Sequence, residues 1–168
     1  DVSHFRLSIH LSIALLILSI ILWFIFDIFK VKKFNIKIIN SFLIFILLLV
    51  VLQIILGAFL AGLNGGLLYN TWPDMNGRFL PSDIVIKDIF LLESSDNPSI
   101  IQFYHRCIAY LIIVFLVILN YIFYKNKISY KTLTIFNFAI FLQILIGIIT
   151  LTTGVKIMYP SLHQLGSI

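Results

Sequence analysis

Charge is what this sequence has least of. Of its 168 residues only 11% are Asp, Glu, Lys or Arg, while 61% are hydrophobic, and the mean hydropathy is +1.09. A soluble domain carries roughly 25% charged residues, so the composition excludes that class and requires an integral membrane protein. Acidic residues are the scarcer sign, seven against twelve basic. The net charge of +5 could speak for nucleic acid, but in so apolar a chain basic residues report topology. Nucleic acid is therefore set aside as a partner and the lipid bilayer taken instead. The single cysteine, Cys107, excludes an intramolecular disulfide and leaves the redox compartment unread. Asp1 begins without a methionine or a basic leader, and an apolar segment is only starting at Gly166-Ser167-Ile168. The expectation is a piece of a longer protein, with no signal peptide of its own.

What the chain does have is long apolar runs. A bilayer core needs about 20 helical residues, and four runs satisfy this: Leu7 to Phe29, Ile38 to Leu63, Ile100 to Tyr124 and Leu133 to Thr153. Gly154 and Pro160 end the last and open another entry. The expected fold class is all-α, a polytopic transmembrane helical bundle with four spans and the start of a fifth. The short connections 30–37 and 125–131 are strongly basic, which puts them on the cytoplasmic side. The connection 64–99 holds Asp74, Asp83, Asp88, Glu93 and Asp96 against Arg78 and Lys87, and so belongs on the opposite, periplasmic side. Asn97-Pro98-Ser99 predicts a helix entry, because proline and a capping amide favour the first turn. Within the acidic loop, Tyr69-Asn70-Thr71-Trp72-Pro73 and Gly77-Arg78-Phe79-Leu80-Pro81 mix aromatics with turn residues. Interfacial anchoring and a cover over a site both fit them.

Two pairs of segments read alike. Gln53-Ile54-Ile55-Leu56-Gly57 resembles Gln143-Ile144-Leu145-Ile146-Gly147, and Ser8-Ile9-His10-Leu11 resembles Ser161-Leu162-His163-Gln164. Repeats are common in membrane folds. The second pair suggests that His10 ends one half of a duplicated bundle and His163 the other. For Gln53, Gly57, Gly62, Gln143 and Gly147 close helix approach and interhelical cross-links suffice.

Ionisable groups inside a span are costly and mark sites. Gln102-Phe103-Tyr104-His105-Arg106 puts an imidazole and a guanidinium in the first two turns of the third span. His10, His105 and His163 each lie a few residues inside an inward-running helix. At about 1.5 Å per residue this sets them near one depth, where two facing imidazoles could clamp a cofactor. Paired histidines without an open position suit a haem iron engaged in electron transfer. Zinc is disfavoured, because no cysteine or carboxylate cluster accompanies them. His10 alone reads as an interhelical hydrogen-bonding group, whereas His105 and His163 together favour a cofactor. Arg106 suits a carboxylate such as a haem propionate, or snorkelling to the nearby interface. His4 precedes the span and reads as a solvated or interfacial residue.

The chain resembles the haem A synthase family of alphaproteobacterial and mitochondrial type. The resemblance rests on Gly57-Ala58-Phe59-Leu60-Ala61-Gly62-Leu63, the loop from Tyr69 to Pro81, Asn97-Pro98, Gln102 to Arg106 and Leu162-His163-Gln164, in order along nearly the whole chain. It implies an eight-helix protein made of two similar four-helix halves, each with two histidines near the outer face. One half holds haem b. The other receives haem O, whose methyl group is oxidised to the formyl group of haem A for cytochrome oxidase biogenesis. By motif, His105 and His163 match the haem b ligands, Arg106 matches the arginine of the His-Arg motif, and His10 matches the second histidine of the substrate half, with a catalytic role.

The resemblance further implies residues 1–38 as the last helix of the N-terminal half with its linker, and 39–168 as the C-terminal half with its final helix cut short. It implies the bacterial inner membrane as location. The implied partners are haem O synthase and cytochrome oxidase assembly factors, with a homo-oligomer left open. Other classes remain: a bis-histidine b-type cytochrome subunit that only passes electrons, or a transporter, which the repeat and glycines would suit. Since three helices of the family pattern are missing, the 168-residue chain alone is expected not to oxidise haem O and to hold haem b weakly. Incubation of the purified chain with haem O checks this, and full conversion to haem A would refute it.

Overall fold

A computed structural model describes residues 3–30, 37–85, 87, 92–128 and 131–167. They form five α-helices: α1 His4–Ile28, α2 Lys37–Gly62, α3 Pro98–Lys125, α4 Lys131–Thr152 and α5 Met158–Gly166. Short 3-10 turns at Gly65–Leu67 and Leu92–Asp96 punctuate the long connection. The first four helices are long and apolar enough to cross a membrane, so the expected multi-pass helical architecture is the observed one. Runs this rich in Ile and Val would lean toward strands in water. In hydrocarbon each backbone N–H and C=O must be satisfied within its own segment, and the helix does that. The expected basic connection 30–37 lies, apart from its two ends, outside the described residues, as do Asp88 and part of the connection after Lys125.

Helix ends follow local chemistry. The Asn97 side chain accepts from the backbone N–H of Ser99 at 3.0 Å and of Ile100 at 3.3 Å, with Pro98 in the first turn of α3, the entry that the sequence predicts. Between α4 and α5 the chain reverses through Gly154 at φ +70° and Val155 at φ 58°, and α5 then begins with Pro160 in its first turn.

Helix α2 is central, packed between α1 and α3, and α5 folds back on α4. The most buried apolar cluster, Ile39, Ile46, Leu119, Phe123 and Leu133, joins the start of α2, the end of α3 and the start of α4. It therefore sits at the end remote from the 63–97 connection. We call the other end, where that connection lies, the loop end. Much of α1 beyond its first turns faces outward, with Trp23, Phe24, Ile28 and Phe29 exposed, as expected of a lipid-facing surface.

Two polar contacts fix helix neighbours. Asn120 on α3 and Asn137 on α4 exchange amide hydrogen bonds at 2.8 and 3.1 Å, a reciprocal clasp between two apolar helices. At the loop end, His4 is not simply solvated. Its backbone and Cβ sit so close to Gly62 that a Cβ there would lie 2.6 Å from His4 Cβ. Its Nε2 lies 3.0 Å from Asp96 Oδ1, and its ring leans on Phe59 with centroids 5.3 Å apart. Glycine at position 62 thus lets α1 dock on α2.

The asparagine clasp yields a double-mutant test. Asn120→Leu or Asn137→Leu alone removes both interhelical bonds, leaving Asn120 only its bond to the Leu116 carbonyl in the second case, and is expected to cost about 1 kcal/mol, in the range measured for polar contacts between membrane helices. The double Leu variant should cost less than the sum. Unfolding in mixed micelles by SDS titration measures it, and strictly additive losses would mean the two amides are not coupled.

Candidate functional site

His105 lies in the second turn of α3, on the side that meets α2. Its Nε2 is 3.1 Å from the amide nitrogen of Gln53, and its Nδ1 is buried without a hydrogen-bond partner, as is Gln53 Oε1. The ring rests against the backbone of Gly57, where a Cβ would stand 3.3 Å from His105 Cε1.

His163, in α5, is seated in the same way on α4. A Cβ at Gly147 would stand 2.8 Å from His163 Cε1 and 3.3 Å from Nδ1. That Nδ1 is also buried and unpartnered. The Gln143 amide donates to the His163 carbonyl at 2.6 Å. Gly166 leaves room for Gln143 Oε1, which a Cβ there would overlap. Both sequence-predicted members of the pair are thus at the loop end, each with one ring nitrogen uncommitted. Such a donor set fits a metal that takes the rest of its coordination from a macrocycle, as haem iron does.

His10 is exposed on α1, with no hydrogen bond or ion pair among the described residues, and the structure does not join it to that pair. Arg106, 8% exposed, is spent on the loop. Its Nη1 donates to the carbonyls of Thr71 at 2.9 Å and Asp74 at 2.6 Å, and its Nη2 to that of Tyr69 at 2.9 Å. The Nε–H is buried and unpartnered, so the guanidinium keeps donor capacity beyond the loop.

The sequence reading missed two further loop anchors. Gln102, 1% exposed, donates to the Tyr69 carbonyl at 3.1 Å, and the Tyr110 hydroxyl donates to the Pro73 carbonyl at 2.9 Å. Gln102, Arg106 and Tyr110 recur every fourth residue and so form one stripe of α3. Polar groups at that spacing in an otherwise apolar helix were the available signal. The loop is also tied to the end of α4, where the Asn70 amide donates to the Leu151 carbonyl at 2.8 Å. Phe79 covers Phe103 edge-on at 5.7 Å.

Two carboxylates complete the loop. Asp83 accepts from Ser99 Oγ at 2.6 Å and from the Tyr69 hydroxyl at 2.5 Å, and these donors, Ser99 first, hold its pKa below the usual carboxylate value. Burial and then the neighbouring Asp83 raise that of Tyr69. Asp74 takes the Gly77 N–H at 3.0 Å and the Thr71 hydroxyl at 2.8 Å, which likewise lower its pKa, the Gly77 bond most.

Fold and site together define a multi-pass helical membrane protein with two buried histidines and a strapped loop at one end. All of it, residues 1–168, matches the family described as cytochrome oxidase assembly protein, and the chain belongs to that family. Among curated relatives, a haem A synthase of Pelagibacter ubique is 60% identical over the whole chain, which covers 50% of that protein. Haem A synthases of two Wolbachia strains, from Culex pipiens and wMel, are 39% and 38% identical over 99% of the chain, covering 50% and 47% of their lengths. The chain thus spans about half the length of the curated relatives it matches. No solved structure matches it.

The depressed carboxylate pKa values give the loop a pH dependence of fixed sign. A carboxyl whose folded pKa lies below its unfolded value contributes stability above the unfolded value and loses it as pH falls through the folded one. The loop is therefore expected to stay docked at neutral pH and to loosen on acidification through and below the usual carboxylate range. Trp72 fluorescence in a Trp23→Phe background follows this, and Asp83→Asn should flatten the transition. An acid profile unchanged by Asp83→Asn and Asp74→Asn together would remove the carboxylates as its cause.

Proposed function

We propose that the chain is the haem b-holding part of a haem A synthase, in which His105 and His163 would hold the haem iron. The observation that carries this reading is the pair of buried imidazoles, each with an unpartnered ring nitrogen and each seated on a glycine of an equivalent Gln-x-x-x-Gly segment. The names of the relatives point the same way. Residues 1–38 are the last helix and linker of an N-terminal four-helix half, and 39–168 belong to the C-terminal half. The whole protein oxidises the methyl group of haem O to the formyl group of haem A for cytochrome oxidase biogenesis in the bacterial inner membrane. Its basic connections face the cytoplasm and the 64–99 loop the periplasm.

Haem b, when bound, supplies reversible one-electron exchange. This chain's residues bind and orient. The two imidazoles offer lone pairs from α3 and α5 at the loop end. Arg106 holds the Tyr69 to Asp74 backbone over this end of α3 and keeps its Nε–H for an acidic group such as a propionate. The loop, strapped to the Gln102, Arg106 and Tyr110 stripe, fixes the neighbouring face of α3. His10 belongs to the haem O side, whose other residues lie on helices outside this chain. Haem O synthase is the reaction partner that would supply the substrate.

The test is the reduced-minus-oxidised visible spectrum of the detergent-purified chain supplied with haem. A low-spin b-type signal is expected, with its loss in both His105→Ala and His163→Ala. No signal in the unmodified chain, including after the eighth helix is restored, would overturn the cofactor reading. A haem signal without any conversion of haem O by the complete protein would instead leave an electron-transfer cytochrome.

A further inference from the structure

Gln53 and Gly57 lie one turn apart on α2, and Gln143 and Gly147 one turn apart on α4. Each pair therefore presents an amide and a bare stretch of backbone on one face. Small residues at such positions ordinarily let two helices approach. Here the groups against the glycines are not helix backbones but imidazole rings, His105 over Gly57 and His163 over Gly147. The amides one turn earlier are both on the same histidines, Gln53 on the His105 ring and Gln143 on the His163 carbonyl. We propose that the two segments are copies of one histidine cradle, in which the glycine seats the ring and the glutamine is a positioning residue for the histidine. This deepens the haem-holding role given above and rests on it.

The chemistry favours it. A metal-bound imidazole uses one nitrogen for the metal and gives its other N–H to a second group, which fixes ring orientation and raises ligand basicity. Turned with its oxygen toward the ring, the Gln53 amide accepts the Nε2–H of His105 and leaves the Nδ1 lone pair free. The opposite orientation puts the proton on Nδ1, where it has no partner. Burial of an unpartnered Nδ1 therefore favours the first arrangement, in which His105 is held through its Nε2–H. Gln143 does something different, since it holds the backbone of His163 and not its ring. The cradles are alike in sequence and unequal in effect: Gln53 sets the basicity of its histidine, and Gln143 sets the placement of its own. The seats are unequal too, because a Cβ would stand 2.8 Å from the ring at Gly147 and 3.3 Å at Gly57.

The experiment uses the haem-loaded, detergent-purified chain and reads the haem midpoint potential and the low-spin signal. Gln53→Glu, a stronger acceptor, is expected to lower the potential, and Gln53→Leu, no acceptor, to raise it. A bare through-space charge would move only the first. Gly147→Ala should lose most of the low-spin signal and Gly57→Ala keep most of it. Equal potentials in the three position-53 forms, with haem retained, would overturn the role of Gln53, and equal retention by the two alanine variants would overturn the seats.

A second measurement needs no haem. Nitrogen NMR of the histidine-labelled chain should show His105 as a single Nε2–H tautomer, and as a mixture in Gln53→Leu. A mixture already in the unmodified chain, unchanged by Gln53→Leu, would overturn the cradle. Failure of the unmodified chain to take haem would count against the haem-holding role and leave the cradle to be decided by the NMR result.

Discussion

The buried guanidinium of Arg106 is the constraint from which the loop end takes its shape. A charge two turns inside an apolar helix is tolerated only if its N–H groups find acceptors, and the acceptors it finds are main-chain carbonyls of Tyr69, Thr71 and Asp74. Those carbonyls have no regular secondary structure to satisfy them, so the debt is mutual. An arginine that would destabilise the span and a loop that would not hold its form alone stabilise each other. Gln102 and Tyr110 on the same stripe extend the strap by a turn in each direction, while His105 points round the helix toward α2. One helix thus carries the loop on one face and a candidate ligand on another.

The same logic of obligatory partners governs the interior. Asn120 and Asn137 satisfy one another. Among the described residues the buried polar atoms without a hydrogen bond are Nε2 of His4, Nδ1 of His105 and of His163, Nε of Arg106, and the amide oxygens of Gln53 and Gln102. Native proteins leave buried polar atoms unpaired rarely, and where they do a missing ligand is one explanation. Their gathering at the loop end sets that end apart from the ordinary apolar packing around Ile39, Ile46 and Leu119.

Much of this was legible in the sequence. Hydrocarbon imposes length and helicity so strictly that four spans could be bounded from composition alone, and the capping of α3 by Asn97 followed from three residues. His105 and His163 stood out because ionisable groups in apolar runs are few. The echo of Gln53-x-x-x-Gly57 in Gln143-x-x-x-Gly147 was also visible, but its partners were not, since periodicity tells which residues share a face and not what crosses it. The role of Arg106 toward the loop was hidden for the same reason: backbone carbonyls leave no trace in sequence. His4 was misjudged because its partners, Gly62 and Asp96, lie far along the chain.

The docking of His4 on Gly62 has a mechanical consequence. It holds α1 at one extremity, by a close backbone approach and the 3.0 Å contact of His4 Nε2 with Asp96 Oδ1, while the opposite extremity, from Trp23 to Phe29, is broadly exposed. The glycine at position 62 therefore sets how deep α1 sits against α2 at that end, and His10 inherits its depth from a residue on another helix.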